Sequence, residues 1–296
     1  MTADTSKMLA QIAKGDGFIA ALDQSGGSTP GALKGYGVSE DRYSTDEEMY
    51  ALIHAMRSRI ITSPCFGGGK VIGAILFERT MDGEAGDVPV PQALWQRGVV
   101  PFLKVDKGLE DEADGVKLMK PMPELDALCE RAVTKGVFGT KMRSVIERAN
   151  PAGIAAIVGQ QFAVAEQIAT HGLMPIIEPE VSIKSLDRAQ CDVILRDEIL
   201  KALDAMSDGQ VMLKLTLPAE ADLFAALVDH PRVLRVVALS GGFSREDACR
   251  QLAQNRGMIA SFSRALLSDL RHQMSDKEFD GALGSAIDDI HTASLA

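Results

Sequence analysis

Short apolar runs recur along the chain, separated by longer stretches in which apolar residues have helical spacing. Each run is rich in Val, Ile, Leu or Phe and is shorter than most buried helices, which is typical of strands buried on both faces. The eight runs span residues 17–23, 71–78, 99–106, 137–143, 173–180, 211–217, 233–240 and 257–264. The pattern therefore predicts eight buried strands.

The stretches between the runs predict helices. NPAGIAAIVGQQFAVAEQIATHG (150–172) and SREDACRQLAQNRG (244–257) both combine apolar helical spacing with a glycine near the C-terminal end. Strands that alternate with helices imply right-handed βαβ units and a parallel sheet. Because eight such strands close a barrel, we predict an α/β protein with the (β/α)8 TIM-barrel fold, as a single domain over residues 1–296.

An open, doubly wound sheet is the alternative architecture. It would normally carry a glycine-rich dinucleotide-binding turn, G-x-G-x-x-G, after its first strand. Here that turn reads DQSGGSTPGAL (23–33), which does not match the motif. The sequence therefore favours the closed barrel.

The composition argues against several classes of partner. Among 296 residues the chain has 31 Lys and Arg against 41 Asp and Glu, a net charge of −10, whereas nucleic-acid-binding domains are usually basic. No apolar run approaches the roughly 20 residues of a membrane span. Residues 1–17 show an amphipathic helical pattern rather than a secretory signal. We therefore expect a cytoplasmic protein that binds neither nucleic acid nor membrane.

The residue types that bind metals are scattered. The five histidines show no paired spacing, and the four cysteines contain no C-x-x-C. This disfavours a metal–histidine enzyme, a zinc site and a redox pair. We expect reduced cysteines and no metal.

Polar residues stand near the C-terminal end of each run. In a barrel these positions crowd one rim, where the active sites of this fold are built. Charged residues inside apolar strands are costly unless they are paired or functional. The set consists of Asp23, Glu78, Lys104, Asp106, Lys141, Arg143, Glu178, Glu180, Lys214, Ser240 and Arg264. We interpret it as the candidate site.

Lys214 is the most informative member of this set. Its neighbours in VMLKLTL are apolar or weakly polar, so its amine is poorly solvated, which disfavours the ammonium form. A neutral lysine amine is a nucleophile that forms a Schiff base with a carbonyl. Glu178 and Glu180 lie one strand away, and a carboxyl with a raised pKa could deliver and remove the protons of that reaction. The alternative is that these residues form structural ion pairs.

The loop after the seventh run has features of an anion site. Ser240 offers a hydroxyl, while Gly241 and Gly242 allow backbone N–H groups to approach a ligand closely, and a helix is predicted to follow. The eighth run is predicted to end at Arg264, whose planar fork suits phosphate. Barrels often bind phosphate at the loops after strands seven and eight, so these residues predict a phosphate site.

These residues together resemble class I fructose-bisphosphate aldolases, most closely the compact bacterial branch. The resemblance covers nearly the whole chain, and the family's motifs occur in its order and spacing as FLKVDKG, FGTKMRS, PIIEPE, VMLKLT, LSGG and FSRAL. It implies metal-independent, reversible cleavage of fructose 1,6-bisphosphate to dihydroxyacetone phosphate and glyceraldehyde 3-phosphate, in glycolysis and gluconeogenesis. It also suggests self-association, without fixing the number of subunits.

The resemblance assigns roles position by position. Lys214 matches the Schiff-base lysine, Glu178 the carboxyl that accepts and donates protons, and Asp23 the aspartate that acts on substrate hydroxyls and on carbon–carbon cleavage. No cofactor is implied beyond the covalent imine on Lys214. Glu180 matches a carboxylate near the reactive lysine, and the remaining matches contact substrate hydroxyls or phosphate: Lys104, Lys141 and Arg143, with Ser240, Gly241, Gly242 and Arg264 for the phosphate on C1.

Three departures separate this chain from the animal members of the family. Gln24 stands where they have Glu, and Gly31 and Ala32 stand where they have a basic pair. Recognition of the second phosphate must then use other groups. The candidates are Ser25, Ser28 and Lys34. The chain ends in HTASLA, so it offers no equivalent of the tyrosine in the animal tail.

Two other functions stay open on the sequence alone. An imine-forming aldolase for tagatose bisphosphate or fructose 1-phosphate would use the same rim chemistry, and only kinetics separates these substrates. A non-catalytic barrel that senses sugar phosphate would bind without turnover. The combination of Lys214, Glu178 and the phosphate loop favours the enzyme.

Overall fold

The structure, a computed structural model, describes residues 3–296. The strands are β1 (Phe18–Leu22), β2 (Val71–Leu76), β3 (Val100–Lys104), β4 (Val116–Lys117), β5 (Gly139–Ile146), β6 (Met174–Val181), β7 (Val211–Thr216), β8 (Val233–Leu239) and β9 (Met258–Ala260). The helices are α1 (Ala3–Lys14), α2 (Thr29–Gly35), α3 (Asp46–Thr62), α4 (Glu78–Asp82), α5 (Val90–Gln96), α6 (Leu125–Thr134), α7 (Pro151–Thr170), α8 (Arg188–Ala205), α9 (Ala225–Val228), α10 (Arg245–Leu252), α11 (Arg264–Leu267) and α12 (Asp276–Ala293).

Eight parallel strands follow one another around the sheet in the order β1, β2, β3, β5, β6, β7, β8 and β9. At the remaining seam, between β1 and β9, the N–H of Ala21 donates to the carbonyl of Phe262 at 3.2 Å. The predicted (β/α)8 barrel is therefore confirmed, and every apolar run contributes a strand. The additional strand β4 pairs antiparallel with β5 and was not predicted, because two residues are too few to show a period.

Two differences from the sequence prediction concern strand ends. The eighth barrel strand ends at Ala260 rather than at Arg264. Its neighbour β8 gives way at Ser240 to the glycine turn, so the later residues lose their ladder partner, and Arg264 instead begins α11. Glu78 begins α4 and forms ion pairs with Lys107 and Arg131. Because β2 ends at Leu76, Glu78 lies on α4, where these ion pairs hold its side chain outside the cavity lining.

The lower half of the barrel is an apolar core. Inward-facing side chains from seven strands pack together there: Ile19, Ile75, Phe102, Ile176, Met212, Val237 and Ile259. Side chains alternate between the two faces of a strand, so the next inward position lies two residues further on. In β3, β6 and β7 that position holds Lys104, Glu178 and Lys214. The strand period thus stacks a polar layer directly above the apolar one.

The predicted amphipathic N-terminal helix is confirmed as α1, and it covers the amino-terminal end of the barrel. Met8 and Ile12 pack into the apolar core. The side chain of Arg235, in β8, donates to the carbonyls of Ala13 and Gly15 at 3.0 and 3.1 Å. Residues 1 and 2 of the predicted domain lie outside the described residues. Within residues 3–296 no helix is long and apolar enough to cross a membrane.

Candidate active site

A cavity of about 790 Å³ opens at the carboxyl ends of the strands. Most of the residues predicted from the sequence line it: Asp23, Ser25, Ser28, Lys104, Asp106, Lys141, Arg143, Glu178, Glu180, Lys214, Ser240, Gly241 and Arg264. Lys34 is exposed on α2 and, like Glu78, is not part of the lining. Gly242 is not part of the lining either, although it lies against Arg264. The structure thus gathers the polar strand ends into one mouth and leaves three members of the predicted set outside its lining.

The centre of the cavity floor is a chain of alternating charges, which we call the lysine–carboxylate network (Asp23, Lys141, Glu178 and Lys214). Lys141 Nζ lies 2.6 Å from Asp23 Oδ2 and 2.8 Å from Glu178 Oε2. Lys214 Nζ lies 3.0 Å from Glu178 Oε1. None of the four residues is more than 9% exposed. Glu178 therefore bridges two lysines, and Lys141 bridges two carboxylates.

The charges of this network set its protonation. Burial raises the pKa of Glu178, but Lys141 and Lys214 outweigh burial and hold that pKa below its usual value. Burial likewise raises the pKa of Asp23, and Lys141 followed by Lys214 brings it well below its usual value. Burial lowers the pKa of Lys141, but Asp23 and Glu178 outweigh burial and raise that pKa above its usual value. Both carboxylates are therefore ionised near neutral pH.

This result corrects one expectation. A carboxyl with a raised pKa was expected beside Lys214, whereas the pKa of Glu178 is lowered. The reason is that the neighbouring lysine of β5, Lys141, reaches the same carboxylate at 2.8 Å. Two cations stabilise the ionised form more than burial destabilises it.

A second tier of ion pairs surrounds the network nearer to solvent. Lys104 Nζ lies 2.6 Å from Asp106 Oδ1, and Arg143 Nε lies 2.5 Å from Glu180 Oε2. The carboxylate of Asp106 also accepts from the backbone N–H of Arg143 at 3.2 Å. These contacts tie the ends of β3, β5 and β6 together. They also leave both basic groups half-buried at the cavity wall, within reach of a ligand.

The loop between β8 and α10 forms, with Arg264, what we call the glycine–arginine cradle (Ser240, Gly241, Gly242 and Arg264). Gly241 and Gly242 have φ of +59° and +119°, a region that favours glycine. A Cβ on Gly242 would lie 3.3 Å from Nη2 of Arg264, so the guanidinium lies directly against this glycine. Among residues 3–296, no carboxylate lies within ion-pair distance of Arg264. The cradle thus presents an unpaired cation beside a flexible-backbone turn, which suits an anion.

Sequence reasoning missed two buried polar residues that support the site. Gln161, in α7, accepts from the backbone N–H of Glu178 at 2.8 Å and donates to Ser144 Oγ at 3.0 Å. Arg57, in α3, donates to Thr80 and to Gln24. A signal for both existed in the helical period: each occupies a position of an otherwise apolar helix stripe, where a polar side chain needs an explanation.

The comparisons with known proteins agree with one another. The family model described as fructose-bisphosphate aldolase class-I matches residues 3–222. A curated fructose-bisphosphate aldolase class 1 from Porphyromonas gingivalis is 54% identical over 290 residues, which cover 98% of this chain and 99% of that protein. The solved fructose-bisphosphate aldolase of Plasmodium falciparum superposes with a TM-score of 0.79 at 20% identity, covering 99% of this chain and 96% of its own. This last likeness supports the barrel fold.

Proposed function

The chain belongs to the class I fructose-bisphosphate aldolase family, and from this premise we propose how its residues divide the reaction. The enzyme cleaves fructose 1,6-bisphosphate reversibly to dihydroxyacetone phosphate and glyceraldehyde 3-phosphate, a step of glycolysis. The family's reaction proceeds through a Schiff base and needs no metal. We assign the imine to Lys214, and the remaining roles follow from its neighbours.

Imine formation begins when the ammonium group of Lys214 loses a proton, and the neutral amine then attacks the C2 ketone of the open-chain sugar. Glu178, 3.0 Å from the amine, is placed to accept the proton that the nitrogen gives up. Once the amine is neutral, Glu178 faces one cation in place of two, so its pKa rises and it can hold this proton. A second proton moves from the nitrogen to the C2 oxygen to form the carbinolamine. Glu178 then returns its proton to the C2 hydroxyl, which leaves as water and gives the protonated imine.

Carbon–carbon cleavage requires a base for the C4 hydroxyl. Asp23 is ionised because Lys141 lies 2.6 Å away, and its position directly after β1 puts it on the same cavity floor. Its carboxylate takes the C4 hydroxyl proton, the C3–C4 bond breaks, and the electron pair flows into the imine to form an enamine. The aldehyde product leaves, C3 takes up a proton, and water releases the second product. Lys141, in contact with both carboxylates, keeps each of them ionised until it accepts its proton.

The outer residues are proposed to hold the substrate. Ser240, Gly241, Gly242 and Arg264 would take the phosphate on C1, because the cradle offers the unpaired cation of the cavity. Lys104, Arg143, Glu180 and Ser25 line the wall where the sugar hydroxyls and the far end of the substrate would lie. The length of a bisphosphate sugar then spans the mouth from the cradle to the loop after β1.

The observation that carries this proposal is the buried contact between Lys214 and Glu178 inside the charged network. The test is borohydride reduction of the enzyme with dihydroxyacetone phosphate, followed by tryptic mapping. We expect the added mass on Lys214, and none in Lys214→Ala, which should also lose cleavage activity. Covalent mass on another lysine, or none at all, contradicts the assignment.

Metal removal separates this chemistry from the alternative in which a metal polarises the ketone. We expect EDTA-treated enzyme to retain full activity, because the imine takes the role of electron sink. Activity that disappears with EDTA and returns with zinc would refute the imine mechanism. Cytoplasmic location, self-association and a single domain over residues 1–296 stay predictions.

A further inference from the structure

The mouth of the barrel is close to electrically balanced. Five basic and four acidic residues line the cavity, and four of the basic residues are paired with carboxylates. Each phosphate monoester carries a charge of about −1.5 to −2 near neutral pH. Arg264, with its single positive charge, offsets part of the charge of one phosphate. A second phosphate, at the end of the mouth formed by the loop after β1, needs a positive charge from elsewhere.

The loop after β1 supplies little positive charge itself. Ser25, Gly27, Ser28 and Gly31 line the cavity there, all of them neutral. The single lysine of this segment, Lys34, is exposed and is not part of the lining. The cation for this end of the mouth must therefore lie behind the lining residues.

Arg57 is such a cation. Its side chain is 1% exposed, and its hydrogen-bond acceptors are neutral: Thr80 Oγ1 at 2.8 Å, Gln24 Oε1 at 3.2 Å and the backbone carbonyl of Gln24. Within residues 3–296 it has no ion-pair partner. Burial lowers the pKa of Arg57 to about 10, against the opposing effect of Asp23, so the group stays charged at neutral pH. A buried charge without a paired carboxylate is costly to the fold, which points to a use for it.

Gln24 connects this charge to the cavity. Its amide oxygen accepts from Arg57, while its amide nitrogen donates to Ser263 Oγ at 2.6 Å and to the Ala21 carbonyl at 3.2 Å. Gln24 itself lines the cavity, so the guanidinium lies one side chain behind the wall. It also spans the seam between β1 and β9, next to Arg264. Because an amide is neutral, it orders the wall without cancelling the charge of Arg57.

We propose that Arg57, acting through Gln24, determines specificity for substrates with a second phosphate. Its uncompensated charge adds to the small positive excess of the mouth at the loop after β1. Arg57 is thus a positioning residue whose positive charge also attracts the second phosphate. It therefore favours fructose 1,6-bisphosphate over fructose 1-phosphate. This inference rests on the proposed function, since it concerns the substrate of the same cavity.

The test compares kcat/KM for fructose 1,6-bisphosphate and fructose 1-phosphate in the wild type and in Gln24→Glu. The new carboxylate would pair with Arg57 and cancel its charge. We expect kcat/KM for the bisphosphate to fall about tenfold and that for the monophosphate to change by less than about twofold, with the difference shrinking at high salt. Gln254→Glu adds the same charge at an exposed site before β9, at the opposite end of the strand, and should change neither value.

A pair of variants at Arg57 separates charge from packing. Arg57→Lys keeps the positive charge and loses the planar guanidinium with its several N–H donors, whereas Arg57→Met loses both. The bisphosphate preference should persist in the first and fall in the second, even if total activity drops in each. Equal loss of preference in both variants, or an equal fall for both sugars in Gln24→Glu, overturns the inference. If both Arg57 variants fail to fold, the result for Gln24→Glu decides. A wild type that cleaves neither sugar instead refutes the proposed function.

Discussion

The lysine–carboxylate network and the glycine–arginine cradle lie in one cavity but treat charge in opposite ways. In the network every charge is buried and has a partner within 3.0 Å. In the cradle Arg264 is exposed and has no ion-pair partner among the described residues. The charges of the network are paired before substrate arrives, whereas the charge of the cradle is paired only when an anion binds.

The difference follows from what each region does. Proton transfer and imine chemistry need groups with fixed geometry and fixed protonation, which buried, mutually bonded charges provide. Anion binding needs a donor whose charge has not already been neutralised, which favours an exposed arginine beside a glycine turn. Substitutions in the network should therefore act on kcat, and substitutions in the cradle should act on KM.

The largest effect is expected for Lys214→Arg. The guanidinium can keep a positive charge beside Glu178, so the network retains its charge balance, but it cannot form an imine. Activity should fall by about 10⁴-fold or more, since the covalent route is lost. A coupled assay and borohydride trapping measure this loss. A variant with more than a hundredth of wild-type kcat would show that charge at this position suffices.

Glu178→Gln should have the next largest effect. It removes the carboxylate that separates Lys141 from Lys214, and with it the proton carrier, so kcat should fall about 10²- to 10³-fold. Burst kinetics of imine formation would show the slowed step. Glu180→Gln is the matched control, because Glu180 pairs with Arg143 in the outer tier and does not touch Lys214. Equal losses in the two variants would remove the distinction between the tiers.

Arg264→Met should act mainly on affinity. Losing the unpaired cation should raise KM for the bisphosphate and lower kcat/KM by about 10- to 100-fold, with kcat less affected. Inhibition by inorganic phosphate should weaken in parallel, and the trapped lysine should remain accessible to reduction. A fall in kcat with KM unchanged would assign Arg264 to the chemistry instead of the cradle.

Gly242→Ala, also in the glycine–arginine cradle, should have a smaller effect on KM than Arg264→Met. The added Cβ would press on Arg264 at 3.3 Å in a backbone with φ of +119°. We expect KM to rise several-fold and the free energy of unfolding to fall by about 1 kcal/mol. Gly209→Ala is the control, since Gly209 also has positive φ but faces open space. It should lose similar stability with no change in KM.

The smallest effect concerns acid stability. The pKa values of Asp23 and Glu178 are lowered in the folded chain, so these groups contribute stability that is complete above their unfolded values, about pH 4 to 4.5. This stability is lost as the pH falls through the folded values. When the free energy of unfolding is measured with urea at several pH values, it should fall less steeply toward acid pH in Glu178→Gln than in the wild type. Arg264→Met should follow the wild type, because Arg264 pairs with no carboxylate of residues 3–296.

The strands and the catalytic strand ends were predictable because two simple periods specify them. Buried parallel strands appear as continuous apolar runs, and a charge within such a run, as with Lys214, stands out. The pairing of Glu178 with two lysines was not predictable, since it depends on which neighbouring strand delivers a side chain to the same point. The pKa direction of Glu178 was wrong for that reason.

Gln161 and Arg57 show a different limit. Both are single polar residues on apolar helix faces, and the sequence does not say what they reach across the fold. Gln161 reaches the backbone of Glu178, and Arg57 reaches Gln24. Arg264 lies four residues beyond the end of β9, which the sequence did not predict. The reason is that β8 ends before the glycine turn, so β9 has no further residues of β8 to pair with.

The helix that covers the floor of the barrel has a consequence for the order of folding. Arg235 holds the C-terminal end of α1 through contacts between residues 222 positions apart in the chain. During synthesis α1 leaves the ribosome well before β8, yet its binding site is not complete until β8 has emerged. The amino-terminal end of the barrel therefore closes only after most of the chain has been made. Nascent chains that lack β8 should expose α1 to proteases and chaperones.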